Sequence, residues 1–287
     1  MTAQPTTEDH DHPRAGVVGW PVSHSRSPMI HRYWLKQFGI EGSYDPIPVP
    51  VEDAPAFFRD LRTSGLAGCN VTVPHKEIAA AACDVLDPVA DALKAANTLW
   101  FEGPTLIGAN TDSGGFLSSL DESVPAWDHA KGHAVIIGAG GAARAVAFAL
   151  KLRGFEEISI VNRTADRAAD IAKLIDGTVA YGFDAVPRLL SDCALLVNTT
   201  SLGMAGQPRL GIDLAPLQRQ AIVTDIVYVP LETELLATAR ARGNRVVDGI
   251  GMLLYQAVPG FTRWFGKRPS VTPELRQLII DSLTTPG

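Results

Sequence analysis

One segment constrains this chain above all others: His133-Ala134-Val135-Ile136-Ile137-Gly138-Ala139-Gly140-Gly141-Ala142-Ala143-Arg144. An apolar strand runs into a glycine turn and small residues then open a helix, the G-x-G-x-x-A form of a dinucleotide fingerprint. Gly138 permits the tight turn, Gly140 lets backbone approach a pyrophosphate, and Ala143 stands where a small side chain lets helix pack on strand. The free amides at the start of that helix would then face the phosphates. A second apolar strand follows at 157–162, at the distance a β-α-β unit requires, so this part of the chain is expected to form a doubly wound parallel sheet.

That second strand ends in Asn162-Arg163-Thr164 rather than in the acidic residue that would hold the ribose hydroxyls of NAD. Arg163 and Arg167 instead offer guanidinium groups, whose charge and planar fork suit a phosphate. The expected cofactor is NADP. The competing readings are Asp166 as a displaced ribose ligand, and both arginines as solvated residues of a surface helix.

Short runs rich in branched residues alternate with helical patterns through the rest of the 287 residues, a length that suggests two domains in an α/β fold. A first α/β unit is expected from strands at 15–19, 43–49, 68–73, 98–101 and 105–109, with one helix starting at Pro28 and another within 53–64. Ser27 suits the first helix's N-cap and Gly39 its stop, and Ile30, Trp34 and Phe38, spaced four apart, are expected in the core. After a short helix near 115–120 the second unit shows strands at 133–138, 157–162, 194–198, 221–225 and 244–247. From Met252 the chain reads as helical twice, with Pro259-Gly260 as a kink or break and Thr272-Pro273-Glu274 as a helix start. Their order alone assigns these helices to neither unit.

Hydrophobic residues at 46% and charged residues at 20% describe a chain able to bury a sizeable core. A net charge of -6 opposes a surface built for nucleic acid or anionic membrane, so an anionic substrate must be held locally. Every longer apolar stretch is cut by charge or proline, as Arg144 cuts the run 134–152, so none is expected to span a bilayer. Cys69, Cys83 and Cys193 form no C-x-x-C pair, and their odd count fits a reducing, cytoplasmic compartment. Residues 1–13 read as a disordered tail with His10 and His12 solvated in it, and since no ligand residues show metal-site spacing no metal is expected.

Three segments of the first unit carry more polar side chains than packing requires: residues 19–28, residues 68–76, and residues 95–98 with 108–112. Ligands of open α/β sheets bind beyond the carboxyl ends of strands, where these loops would lie. Their hydroxyls, amides, lysine and aspartate suit a polyol bearing a carboxylate. Reduction of a ketone by hydride builds negative charge on oxygen, so a proton donor or cation must stand beside it. Lys76 can serve as either, and Asp112 would orient its ammonium. Ser25 lacks the G-x-S-x-G turn of a nucleophile, and His24 and His75 read as packing residues beside loops.

Taken in order, these segments resemble the shikimate dehydrogenase family from Arg14 to the C-terminal helices. The shared motifs are H-S-x-S-P at 24–28, N-V-T-x-P-x-K at 70–76, A-x-N-T at 95–98, N-T-D at 110–112, G-A-G-G-A at 138–142 and N-R-T at 162–164. Asn198-Thr199-Thr200, the run 225–230 and the run 249–256 complete the set. The resemblance implies reversible NADPH-dependent reduction of 3-dehydroshikimate to shikimate, a step of chorismate and aromatic amino acid biosynthesis. It implies that Ser25 and Ser27 hold the substrate carboxylate, that Thr72, Asn97, Asp112 and Gln256 bind ring hydroxyls with Tyr228 nearby, and that Lys76 and Asp112 are the catalytic pair. Gly138, Ala139, Gly140, Gly141, Ala142, Asn162, Arg163, Thr164, Arg167, Thr199, Val227, Gly249 and Met252 would hold the cofactor, with the nicotinamide near Met252.

The same resemblance returns the final helices to the first unit, giving a substrate domain of 14–112 and 252–287 and a Rossmann domain of 113–251. Arg32 departs from the family, which often has an amide there. Monomers and homodimers are both compatible with it. Two rival readings are weighed against it. A quinate/shikimate dehydrogenase using NAD would carry an acidic residue after the second Rossmann strand, and a non-catalytic metabolite sensor would have lost the lysine or the aspartate.

Overall fold

The computed structural model describes residues 12–129 and 131–284, so the expected tail lies outside the described residues up to position 11, His10 included. From His12 the chain is held: the Pro13 carbonyl accepts from Ser43 N at 3.2 Å, and His12 lies 3.2 Å from Glu41. Up to Ser123 the elements are β1 (Arg14–Gly19), α1 (Ser27–Phe38), β2 (Ser43–Pro48), α2 (Ala54–Arg59), β3 (Gly68–Val71), α3 (Lys76–Ala82), β4 (Val85–Leu86), α4 (Pro88–Leu93), β5 (Thr98–Glu102), β6 (Thr105–Ala109) and α5 (Asp112–Ser123). Beyond it come β7 (His133–Ile137), α6 (Gly141–Leu152), β8 (Ile158–Val161), α7 (Ala165–Leu174), β9 (Thr178–Tyr181), α8 (Val186–Leu190), β10 (Cys193–Asn198), β11 (Ile222–Asp225), α9 (Glu234–Ala241), β12 (Arg245–Val247), α10 (Ile250–Phe265) and α11 (Pro273–Thr284).

The strands form two sheets, ordered β2-β1-β3-β5-β6-β4 and β12-β11-β10-β7-β8-β9. The second is parallel throughout, and its order reverses direction between β7 and β10. All five residues of β7 are buried, as a central strand covered on both faces requires. The first sheet is mixed. β5 runs antiparallel to β3 and to β6, because Gly103-Pro104 closes a hairpin between β5 and β6. That reversal positions the site: the start of β5 and the end of β6 both come to the edge where β1 and β3 end.

Several local expectations are refined. Arg26, not Ser27, is the N-cap of α1; Ser27 is its first residue, next to Pro28, so its hydroxyl is not used in capping. Ile30 and Trp34 are fully buried, but Phe38 is 38% exposed. Each four-residue step rotates about 40° off a straight stripe, so the third member of the series drifts to the surface. The second helix ends at Arg59 and continues only as a 3₁₀ turn at Leu61–Thr63, and α5 begins at Asp112, earlier than expected.

Pro259 and Gly260 do not break α10, which is continuous from Ile250 to Phe265. Phe261, Trp264 and Phe265, beyond the proline, bury against Ala15, Val17, Ile30, Trp34 and Tyr44 together with Leu275 and Ile279 of α11. Burial of those aromatic rings outweighs the ~3 kcal/mol cost of an interior proline. Met252, at the other end of the helix, packs instead with Ala134 and Ile136 of the second sheet.

Along α5, α10 approaches unusually closely. A Cβ on Gly115 would stand 2.9 Å from the Gln256 backbone nitrogen, and one on Gly251 would stand 2.1 Å from the Ser119 hydroxyl oxygen. Gly115→Ala is therefore expected to cost ~1–3 kcal/mol by overpacking and to displace Gln256. A lowered Tm in differential scanning calorimetry would show it; an unchanged Tm would mean that the two helices separate freely.

Candidate active site

The loops after β1 and β3, the residues before β5 and after β6, and the first turns of α10 surround a cleft of about 410 Å³. Ser25, Ser27, Thr72, Lys76, Asn97, Asp112, Tyr228 and Gln256 all line it, as do Gly249 and Met252. Local structure explains this convergence. Lys76 is the first residue of α3 and Asp112 the first of α5, so both project from helix starts at one sheet edge. Gly249, Met252 and Gln256 are separated by three and four positions, which puts them on one face of α10. Asp248 fixes the entry of that helix, since its carboxylate accepts from Ile250 N at 3.0 Å and pairs with Arg276 of α11.

At the centre, Lys76 Nζ donates to Asp112 Oδ2 at 2.5 Å, and Asn97 Nδ2 donates to Asp112 Oδ1 at 2.8 Å. The lysine side chain keeps 22% exposure and the carboxylate 6%, so the pair is shielded yet open on the lysine side. Asn97 has its amide direction fixed: Oδ1 accepts from Thr111 N at 2.8 Å, which leaves Nδ2 for Asp112 and, at 3.4 Å, Gln256 Oε1. The arrangement holds a cation beside a carboxylate and ranges neutral donors and acceptors around it. A developing oxyanion or a polyol can be met there without moving the scaffold.

The two histidines separate. His75 is fully buried, and its Nε2 meets the Val49 carbonyl at 2.7 Å, so that nitrogen carries the proton and the ring faces away from the cleft chemistry. His24 is exposed and lines the cleft rim. Trp20, 47% exposed, and Val73, 70% exposed, also line the cleft, and Trp20 N donates to the Val73 carbonyl at 3.2 Å. Asn70, Ile226 and Leu253 are further lining residues that sequence reasoning did not select. An exposed tryptophan inside a polar motif was a usable signal; for the others nothing in the pattern separates lining from packing.

An adjoining groove shares His24, Ile226 and Tyr228 with the cleft and takes in Thr199 and Val227. It leads to the reversal point between β7 and β10, where open α/β sheets bind their ligands. Gly138 has φ +113° there, and a Cβ on it would lie 2.6 Å from Thr199 Oγ1. Thr199 is itself fixed by N and Oγ1 bonds to the Ile137 carbonyl at 2.8 and 2.7 Å. Gly140 and Gly141 face open space at the start of the 12-residue α6. Bare backbone, free helix amides and room beside them fit a dinucleotide pyrophosphate.

Behind the groove, the Asn198 and Asp225 motifs lock together. Asp225 accepts from Asn198 Nδ2 at 3.0 Å, Val227 N at 3.0 Å and Thr233 Oγ1 at 2.7 Å, fixing the loop that carries Val227 and Tyr228. Burial pushes the Asp225 carboxyl above its ordinary range, against the opposite pull of these bonds. Burial likewise raises the Tyr228 phenol, with the Arg26 charge pulling it down. Past the end of β8, Asn162 Nδ2 donates to the Thr164 carbonyl at 2.9 Å and shapes the turn. Arg163, Arg167 and Asp166 are all exposed, and neither arginine is ion-paired among the described residues. Ala139 and Ala142 complete the turn at α6.

Among the described residues no group of three or more histidines, cysteines, aspartates or glutamates is placed to hold a metal ion, and no helix is long and apolar enough to cross a membrane. Three family profiles match the chain: a shikimate dehydrogenase substrate binding domain at residues 17–99, shikimate/quinate 5-dehydrogenase at 121–207, and a shikimate 5'-dehydrogenase C-terminal domain at 249–278. A shikimate dehydrogenase (NADP(+)) of Mesorhizobium japonicum is 54% identical over 94% of this chain and 96% of its own length. Among solved structures, shikimate 5-dehydrogenase of Thermus thermophilus in complex with NADP(H) and shikimate is 34% identical with a TM-score of 0.83, covering 94% of this chain and 99% of that one. Quinate dehydrogenase of Corynebacterium glutamicum in complex with NAD is 28% identical with a TM-score of 0.86, over 94% of this chain and 99% of that one.

Proposed function

This chain belongs to the shikimate dehydrogenase family, and on that premise we propose that it interconverts 3-dehydroshikimate and shikimate, with Lys76 and Asp112 as the catalytic pair. It is an NADP-dependent oxidoreductase. The observation that carries the reading is the Lys76–Asp112 contact of 2.5 Å inside a cleft lined by every residue assigned to the substrate. Residues 14–112 and 252–287 form the substrate domain and 113–251 the cofactor domain in this reading, and the reaction runs toward shikimate in aromatic amino acid biosynthesis.

NADP, when bound, supplies or accepts the hydride. The chain does the rest. Ser25 and Ser27 take the substrate carboxylate, an anion that a net-negative protein must bind by local donors. Thr72, Asn97, Asp112 and Gln256 take ring hydroxyls, and Tyr228 closes the side toward the cofactor groove. During reduction Lys76 Nζ stands at the ketone oxygen, giving it a proton or holding its negative charge, while Asp112 fixes the ammonium. In the reverse direction the same nitrogen accepts or stabilises what the hydroxyl releases. Closure of the cleft rim at Trp20 and Val73 would exclude water.

Purified protein is expected to oxidise shikimate with NADP, and to do so with kcat/KM at least ~10-fold higher than with NAD or with quinate, followed by the absorbance of reduced nicotinamide. Comparable rates with quinate or NAD would move the reading to the broader quinate/shikimate enzymes. Tight binding of both ligands without turnover would leave a metabolite sensor.

A further inference from the structure

Three fully charged side chains line the cleft and the groove beside it among the described residues: Lys76, Asp112 and Arg26. Lys76 and Asp112 pair at 2.5 Å and cancel, so the uncompensated charge where the two cavities meet is a guanidinium. We propose that Arg26 is a specificity-determining residue, whose positive charge draws the carboxylate of the substrate to Ser25 and Ser27. The proposal rests on the substrate reading above and adds to it the counter-charge that two serines lack.

Arg26 stands between the two serines in the chain and is the N-cap of α1. Ser25 and Ser27 line the cleft, while the Arg26 side chain lines the groove, and Tyr228 lines both. The guanidinium therefore stands beside the carboxylate's seat without filling it. Its charge reaches the Tyr228 phenol, which it pulls down against the rise that burial imposes. Nη2 donates to the Ser282 carbonyl at 3.0 Å, in the last turn of α11, where helix carbonyls lack a partner within the helix. That bond steadies the side chain and leaves its charge intact, because the acceptor is neutral. No carboxylate pairs with Arg26 among the described residues.

Two hydroxyls offer a carboxylate hydrogen bonds but no charge, and Ser25 Oγ already accepts from Ser27 N at 3.3 Å. The N-terminus of α1 contributes only about half a positive charge. Taking an anion out of water onto neutral donors costs free energy unless a positive charge stands near. With a net charge of -6 on the chain, the long-range field opposes the approach of an anion as well. A guanidinium at the mouth reverses that field locally, and since it is part-exposed, salt screens its effect. A residue that only braced α11 would show neither sensitivity: a bond to a neutral carbonyl responds little to salt and does not distinguish a charged substrate from an uncharged one.

Arg26→Gln removes the charge and keeps a hydrogen-bond donor. At low ionic strength its KM for shikimate is expected to rise ~10-fold with kcat within about 2-fold, the pattern of an interaction made equally in the ground and transition states. Arg26→Lys should restore most of the loss. In ~1 M salt, where the Debye length falls to ~3 Å, Arg26→Gln and the unaltered protein should converge. The methyl ester of shikimate keeps the ring and its hydroxyls without the charge, so the loss should not appear with it. A loss that persists in high salt, that Arg26→Lys does not relieve, or that the ester shows equally would make Arg26 a brace for α11 and overturn the proposal, as would an unchanged KM. If Arg26→Gln did not fold, the unaltered protein decides, since its KM for shikimate must rise with salt more steeply than its KM for the ester. If the unaltered protein did not oxidise shikimate, calorimetric titration of shikimate into the same proteins would make the comparison as Kd; no binding at all would sink the substrate reading and this proposal with it.

Discussion

Lys76→Ala is expected to lower kcat for shikimate oxidation by ~10²–10⁴, the range that removal of a positioned proton donor or cation typically costs. NADP binding should be retained, because Lys76 sits on α3 of the first sheet and the glycine turn lies on the second. Asp112→Asn should follow in the same direction for a specific reason. Its two carboxylate oxygens each take a donor, Lys76 Nζ at 2.5 Å and Asn97 Nδ2 at 2.8 Å. An amide can accept at only one of those positions, so one donor would face an NH₂ group. Lys76→Arg then separates two mechanisms that the geometry permits equally. Arginine keeps the charge but does not release a proton near neutral pH, so a variant as slow as Lys76→Ala would identify proton transfer, and partial activity would identify charge stabilisation. Near wild-type turnover in both Lys76→Ala and Asp112→Asn would remove the pair from the mechanism.

How much of this was legible in the sequence depended on whether a residue's role is local. The glycine turn, the end of β8 and the strand-end polar segments are local patterns, and six residues nominated from the polar segments, Ser25, Ser27, Thr72, Lys76, Asn97 and Asp112, line one cleft. Element type was equally legible where periodicity was strong, whereas β9 and the two-residue β4 offer too little pattern to be seen. What failed was whatever tertiary packing decides. The Pro259-Gly260 pair signals a kink or break, and aromatic burial overrides it. Ser27 fits an N-cap and is not one. The mixed first sheet follows from the β5–β6 hairpin, since the two expected strands at 98–101 and 105–109 carry in themselves no sign of the direction in which they pair.

Removing both guanidinium groups in Arg163→Ala/Arg167→Ala is expected to lower kcat/KM for NADP by ~10²–10³ while leaving that for NAD within a few-fold, which collapses the cofactor preference. Charge-assisted bonds to a phosphate contribute ~1.5–3 kcal/mol each, or roughly one to two powers of ten. These two arginines are well placed to make them: both stand exposed just past the end of β8, and neither is committed to a carboxylate among the described residues. Two arginines of α6 and its C-terminal end are by contrast already engaged, Arg144 with Glu77 at 2.9 Å and Arg153 with Asp121 at 2.6 Å. The exposed position has a further consequence. A phosphate contact in solvent is screened by salt, so the preference for NADP over NAD should itself shrink as ionic strength rises, whereas the shielded Lys76–Asp112 pair should respond far less. If the double variant kept its preference, discrimination would have to come from Asn162 and Thr164 at the same turn, whose neutral groups would give a preference insensitive to salt. Ionic strength therefore distinguishes the two sources before any variant is made.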